Sequence, residues 1–175
     1  RRLDALDAAL RLAQRVGNRV AEVDLLEVLR ALARVALGHA HLLGLERGAC
    51  VAVCLPDGPG VHVALLACEK AGLLALGIGP RAGLLEIEHL LRVAGARVLV
   101  SRSEHQGIAM REFKAELRSR GLPLEHHLVI DCDPGSHDAP GVDAALAAEL
   151  ARRRFAADEI FLLNSTSGTS GMPKC

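Results

Sequence analysis

Cys50-Val51-Ala52-Val53-Cys54-Leu55 is an unbroken apolar run of strand length. Pro56-Asp57-Gly58-Pro59 follows it as a turn, and Pro59 suits the first turn of a helix, where its missing N–H costs nothing. Val61, Ala64, Leu65 and Cys68 then recur at three- and four-residue steps, which predicts a helix to about Ala71 with those side chains inward. The opening run shows no alternation of apolar and polar residues. A strand apolar on both faces is one covered by helices on each side, as in a parallel sheet.

The same unit repeats downstream. Leu73 to Ile78 is a second apolar run, and Leu84, Ile87, Leu90, Leu91 and Ala94 form a helical stripe. Arg97 to Ser101 reads as a third strand. Ser103 and Gln106 have the spacing of a capping box, predicting a helix that begins there, carries Phe113 and Leu117, and ends at Gly121-Leu122-Pro123. Leu128 to Asp131 reads as a fourth strand and Asp133 to Gly141 as a polar loop. Val142 to Arg154 reads as a helix whose terminal arginines suit the negative end of the helix dipole. Glu159 to Asn164 reads as a fifth strand. The expected fold class is α/β: a mostly parallel, doubly wound sheet with flanking helices and right-handed crossovers. Upstream, Leu25, Leu29, Leu32, Ala36, Ala40 and Leu43 form one stripe of a long helix, broken by Gly44 and Gly48. The expected organisation is a helical lead-in over 1–46, β/α units over 47–164 and a loop over 165–175.

Composition narrows the function classes. The 175 residues amount to about one domain, and 21 Lys and Arg balance 21 Asp and Glu to a net charge of zero. Binding through bulk positive charge, as to nucleic acid, is therefore excluded. Aromatic residues are 2% with no Trp or Tyr, which disfavours base stacking and leaves the core to Leu, Val, Ile and Ala. The five cysteines are odd in number and contain no Cys-x-x-Cys pair, which suits a reducing, cytoplasmic setting. The most apolar window, Val61 to Gly79, is interrupted by His62, Glu69 and Lys70, so no membrane span is expected. Arg1-Arg2 runs at once into Asp4 and Asp7 without a signal-peptide pattern. With no initiator Met, the chain reads as an excerpt of something longer.

The chemistry concentrates after the last strand, in Ser165-Thr166-Ser167-Gly168-Thr169-Ser170-Gly171-Met172-Pro173-Lys174. Gly168 and Gly171 permit close backbone approach to a ligand. Successive N–H groups in such a turn form a concave anion site. Thr166, Ser167, Thr169 and Ser170 add hydroxyls, and Lys174 adds a compact charge. Clustered donors and one lysine suit a polyphosphate. A Walker A loop would need Gly-Lys-Ser/Thr, whereas Lys174 follows Pro173 and precedes Cys175. A flexible Ser/Gly linker rarely carries Pro-Lys after an ordered strand.

Thr166 to Lys174 closely resembles the phosphate-binding signature of the acyl-adenylate-forming (AMP-binding) superfamily, which includes acyl-CoA synthetases, luciferases and peptide-synthetase adenylation domains. Val51 to Pro56 with Ala64-Leu65-Leu66-Ala67 and Lys70-Ala71-Gly72 is similar to the family's first strand and helix. Gly79-Pro80-Arg81 and Gly95 to Val100 are similar to its next segment. The resemblance covers Asp24 to Cys175, with departures at Cys175 (usually Gly), Ser170 (often Thr) and Gly48-Ala49-Cys50 (often Gly-Asp-x). It implies that Thr166, Ser167, Gly168, Thr169, Ser170, Gly171 and Lys174 bind the β- and γ-phosphates of ATP. It further implies attack of a carboxylic acid on the α-phosphate of Mg2+-ATP, then transfer of the acyl group to coenzyme A or a carrier-protein thiol. An acyl-CoA synthetase of fatty acid metabolism is the parent it favours. The family's adenine pocket, magnesium carboxylate, ribose-binding Asp and catalytic Lys would all lie past Cys175, so no catalytic or metal residue is assigned in this chain. Alternatives are an adenylation domain of a peptide synthetase, another adenylating ligase, or a non-catalytic truncated remnant.

Other constellations compete. Gly77-Ile78-Gly79-Pro80-Arg81-Ala82-Gly83 follows a strand and opens a helix, and Ser101-Arg102 ends the next strand where an NADP-binding Rossmann domain would hold a 2′-phosphate. Against it, the motif follows the second strand and Pro80 removes a donor. Asp131, Asp133, His137 and Asp138 match no EF-hand spacing and read as a solvated turn. His39 and His41 point to different faces of a predicted helix, and His126 and His127 to opposite faces of a strand. Cys50 and Cys54 share a strand face, as core residues do.

Overall fold

The computed structural model describes residues 44–130 and 144–165. Over that range the chain forms β1 (Cys50–Cys54), α1 (Pro59–Lys70), β2 (Leu74–Gly77), α2 (Leu84–Ala94), β3 (Val98–Ser101), β4 (Glu104–His105), β5 (Ile108–Ala109), α3 (Met110–Ser119), β6 (His126–Val129), α4 (Ala144–Arg153) and β7 (Leu162–Asn164). Five strands make one sheet in the order β6-β3-β1-β2-β7, with every neighbouring pair parallel. The fold is α/β, a parallel sheet with helices on both faces, as the unbroken apolar strands require.

Strand periodicity sorts the core into two halves. Cys50, Ala52 and Cys54 of β1 join Leu76, Leu99, the α2 residues Ile87, Leu90 and Leu91, and the α3 residues Met110, Phe113 and Leu117 on one face. Val51 and Val53 join Ala75, Val98, Val100, the α1 residues Ala64 and Cys68, and Leu150 of α4 on the other. Right-handed crossovers demand this partition. The steps β2 to β3 and β3 to β6 run one way along the sheet and put α2 and α3 on one face. The steps β1 to β2 and β6 to β7 run the opposite way and put α1 and α4 on the other. Ile87, Leu90 and Leu91 are 0–1% exposed, and burial of each such side chain contributes about 1.5–3 kcal/mol.

Helix α1 ends through Gly72, whose φ of +66° suits only glycine comfortably. Gly72 N–H donates to Glu69 O at 3.1 Å and Leu73 N–H to Cys68 O at 2.9 Å, the paired bonds of a Schellman stop. A methyl group on Gly72 would lie 2.7 Å from Cβ of Arg153, so the end of α4 packs directly on this turn. The Arg153 guanidinium, 8% exposed, donates to Leu45 O. Arg47 fixes the following connector: it contacts Glu159 at 2.5 Å, donates to Arg154 O at 3.2 Å and lies 4.9 Å from the Phe155 ring centre.

Three expectations are corrected. The helix expected from Ser103 begins at Met110, and the Ser103–Gln106 capping box does not form. Instead Glu104 and His105 pair antiparallel with Ala109 and Ile108. Gln106 (φ 52°) and Gly107 (φ 79°) make the two-residue turn between them, as tight hairpins favour. Met110 N–H then donates to Ser103 O at 2.9 Å. The cap of this kind sits one helix earlier, where the Glu86 carboxylate accepts the Gly83 N–H at 2.7 Å. The fourth sheet strand starts at His126, before Leu128, because it lies at the sheet edge where half-burial tolerates imidazoles. The fifth is confined to Leu162–Asn164, and Glu159 turns away to Arg47. The expected lead-in helix, the Asp133–Gly141 loop and the acidic residues Asp131, Asp133 and Asp138 with His137 lie outside the described residues. Among the described residues no helix is long and apolar enough to cross a membrane.

Candidate functional site

All five strands are parallel, so their carboxyl ends share one edge. Register aligns Val53 with Gly77 and Val100, Gly77 with Asn164, and Ser101 with Val129. Backbone carbonyls and the loops that follow them gather there, and ligands of open α/β sheets bind outside this edge. The helix after β1 packs on one face, while the helices after its neighbours β2 and β3 pack on the other. The connections therefore part around the end of β1, which opens the crevice such sites use.

Strand β7 brings Asn164 and Ser165 to this edge beside β2. Ser165 caps the strand: its N–H donates to Gly77 O at 3.4 Å and its hydroxyl to the same oxygen at 3.1 Å. Asn164 packs over Gly77, with Oδ1 3.0 Å from where a β-carbon would be. Gly77 thus admits the strand that precedes the loop. Thr166, Ser167, Gly168, Thr169, Ser170, Gly171 and Lys174 lie outside the described residues. The described Ser165, immediately before them, is at the carboxyl end of β7 beside β2.

The next turn along the edge, Ile78 to Gly83, is tied to its surroundings by hydrogen bonds. Ile78 N–H donates to Val53 O at 2.9 Å and Ala82 N–H to Gly79 O at 3.0 Å. His105 Nε2 lies 2.8 Å from Ala82 O, and Gln106 Nε2 lies 3.2 Å from Ala82 O and 3.5 Å from Pro80 O. These contacts argue against the Gly77–Gly83 motif as a dinucleotide cradle. The N–H of Gly83 at the start of α2 already serves Glu86, and a carboxylate at that helix end repels a pyrophosphate.

Cys54, at the end of β1, has its Sγ 3.8 Å from His105 Nδ1. Burial pushes this thiol up to about 11, so it stays protonated and donates to Nδ1. Ala82 O can only accept, which assigns the ring proton to Nε2. Cys68, on the buried face of α1, is pushed up to about 12, by burial first and then by Cys50. Thiols held this high are core groups, not nucleophiles. On the far side of the sheet, the Ser101 hydroxyl donates to Arg102 O at 2.7 Å and accepts from His127 Nε2 at 2.8 Å. Burial, and then the charge of Lys114, lowers the His127 pKa below its usual 6.5. A cavity of about 330 Å3 opens here between Ser103, Glu104, Ala109, Arg111, His127 and Val129. It adjoins β6, at the opposite edge from β7. Among the described residues no three His, Cys, Asp or Glu side chains come together to hold a metal ion.

Sequence reasoning missed Gly77, on which Ser165 is seated, and the contacts of His105 and Gln106 with the turn that follows it. The available signal was Gln106-Gly107, a two-residue turn between short segments.

A parallel sheet with helices on both faces, whose strand β7 ends beside β2 at the carboxyl edge, defines the class of this protein: an α/β domain of the doubly wound kind. More narrowly, the chain belongs to the AMP-binding enzyme family, whose sequence profile matches residues 24–175. A feruloyl-CoA synthase of Amycolatopsis sp is 30% identical over 149 residues, spanning 85% of this chain and 26% of that protein. A salicyl-AMP ligase / salicyl-S-ArCP synthetase of Mycobacterium tuberculosis is 34% identical over 144 residues, 79% of this chain and 25% of that protein. The apo structure of Mycobacterium smegmatis MbtA superposes with a TM-score of 0.58 at 28% identity, over 83% of this chain and 27% of its own. The chain thus spans about a quarter of the length of the curated relatives it matches.

Proposed function

We propose that the native protein carrying this chain activates a carboxylic acid with ATP. The carboxylate oxygen attacks the α-phosphorus, the bond to the β-phosphate oxygen breaks, and an acyl-adenylate and pyrophosphate form. A thiol, of coenzyme A or of a carrier protein, then attacks the acyl carbon and displaces AMP. Negative charge accumulates on the departing pyrophosphate. Fixed N–H and hydroxyl donors of Thr166 to Gly171 and the Lys174 ammonium would stabilise it, and such preorganised donors act most strongly where charge develops. Magnesium enters with the nucleotide, and no step is assigned to protein-bound metal.

The observation that carries this function is the stretch Thr166 to Lys174 directly following Ser165, which β7 holds at the carboxyl edge against Gly77. The names of the relatives favour one class of acid. Feruloyl and salicyl are both acyl groups of aromatic carboxylic acids, so an aryl acid is the proposed substrate, in preference to a fatty acid. One name carries CoA and the other a carrier-protein thioester, which keeps both thiols in view. Buried, protonated thiols at Cys54 and Cys68 suit the reducing cytoplasm that coenzyme A chemistry uses.

The test is ATP–pyrophosphate exchange by the native protein with a panel of aryl and fatty acids. Exchange driven by aryl acids is expected, and Lys174→Ala should slow it about a hundredfold, the usual loss for one transition-state donor. Exchange with fatty acids alone would correct the substrate class. Exchange with no acid would overturn the proposal, and full exchange in the Lys174 variant would remove that residue from the site.

A further inference from the structure

His105 is a buried titratable side chain that the proposed chemistry leaves unused, and it stands where three carboxyl-edge segments meet. It belongs to the β4–β5 hairpin, its Nε2 lies 2.8 Å from Ala82 O in the β2–α2 turn, and its Nδ1 lies 3.8 Å from Cys54 Sγ at the end of β1. It is 9% exposed. Gln106, held at φ 52° beside it, adds a second donor to Ala82 O at 3.2 Å. A non-glycine residue kept at positive φ persists only where its surroundings over-determine it. The turn these two residues grip starts at Gly77, whose carbonyl receives both bonds from Ser165. One continuous path therefore runs from the hairpin, through the turn, to the residue from which the phosphate-loop sequence departs.

We propose that His105 is a positioning residue for nucleotide activation: with Gln106 it braces the Ile78–Gly83 turn and so fixes the Gly77 carbonyl on which Ser165 is seated. This rests on the adenylating function proposed above. His105 donates its Nε2 proton to Ala82 O and accepts from the Cys54 thiol, so both ring nitrogens are committed to structure. It touches no reacting atom.

The test compares His105→Asn, whose amide cannot reach Ala82 O, with His105→Gln, whose amide nitrogen can take the Nε2 position. In the native protein, kcat/KM for ATP in pyrophosphate exchange should fall about tenfold or more in His105→Asn, as sub-ångström misplacement of a reacting group allows. The KM for the acid should be unchanged, and His105→Gln should recover most of the loss. Hydrogen exchange supplies a readout independent of turnover. Amides of residues 78–83 and of Ser165 should exchange faster in His105→Asn and recover in His105→Gln. A lowered melting temperature with unchanged kcat/KM and unchanged exchange at Ser165 would overturn the proposal. If His105→Asn does not fold, the exposed Gln106→Ala decides, with smaller changes in the same direction expected and none overturning the brace. A wild-type protein that exchanges pyrophosphate with no acid would sink the adenylating function. The hydrogen-exchange arm alone would then support or overturn the brace.

Discussion

Replacing Gly72 by alanine tests how tightly α4 is fastened to the sheet. Alanine at φ +66° occupies the left-handed region, which costs an L-residue about 1–2 kcal/mol. Its β-carbon would also lie 2.7 Å from Cβ of Arg153, well inside the normal carbon–carbon contact of about 3.5–4.0 Å. The neighbouring atom is at the base of its side chain and cannot swing away. Arg153 is itself 8% exposed and tied to Leu45 O, so the end of α4 must move. Overpacking of this kind costs about 1–3 kcal/mol. Reduced entropy of the unfolded chain returns up to about 1 kcal/mol. The net expectation is a loss of about 3 kcal/mol, within a span of about 1–5 kcal/mol. Gly95 is the internal control. It ends α2 at φ +62° with the same pair of stop bonds, yet no atom lies within 4 Å of its would-be β-carbon. Gly95→Ala should therefore show the conformational cost alone, about 1 kcal/mol. Urea denaturation of both variants at one temperature gives the difference. If Gly72→Ala costs no more than Gly95→Ala, the packing of Arg153 on this turn is not a stabilising constraint and the reasoning fails.

Glu86→Ala removes the carboxylate that accepts the Gly83 N–H, and a loss of about 0.5–1 kcal/mol is expected in the same urea experiment. An unchanged midpoint would mean that water replaces the cap without cost. His127 makes a pH prediction. Its pKa lies below 6.5 when folded, through burial and Lys114, and near 6.5 when unfolded. Between those values the unfolded chain binds more protons, so stability is full above about 6.5 and falls as pH drops toward the folded pKa. Subtracting His127→Gln urea midpoints from wild-type values should leave a slope confined to that window. A flat difference would show that His127 titrates alike in both states.

The sheet was legible because its strands announce themselves locally. Cys50 to Leu55 is apolar throughout, and only a strand covered on both faces has use for that. Helix α2 was equally plain, since Ile87, Leu90 and Leu91 are the positions its stripe commits to the core. The hairpin was hidden by a local ambiguity. Ser103 and Gln106 satisfy the chemistry of a helix start and outweigh the one local hint of a turn, Gln106-Gly107; the bond from the Gln106 amide to a carbonyl 24 residues away has no local signal at all. The Ser/Thr/Gly/Lys stretch after Ser165, the proposed phosphate site, stood out by composition. Its seat did not, because Gly77 matters through Asn164 and Ser165, which the sequence sets 87 and 88 positions away and only the sheet brings together.

The strand order has a consequence for how the domain assembles. Strands β6 and β7 lie at opposite margins, so the segment joining them must travel across four strand spacings, about 19 Å. Strands β1, β2 and β3 can associate through short crossovers, whereas β7 has no surface to join until β2 is in place. Contacts that close long stretches of chain form late and open early. The three residues that present Ser165 are therefore expected to be the last of the sheet to arrive during folding and the first to leave on heating. A chain caught partway along that route would hold most of its core and still lack the ledge on which the loop begins.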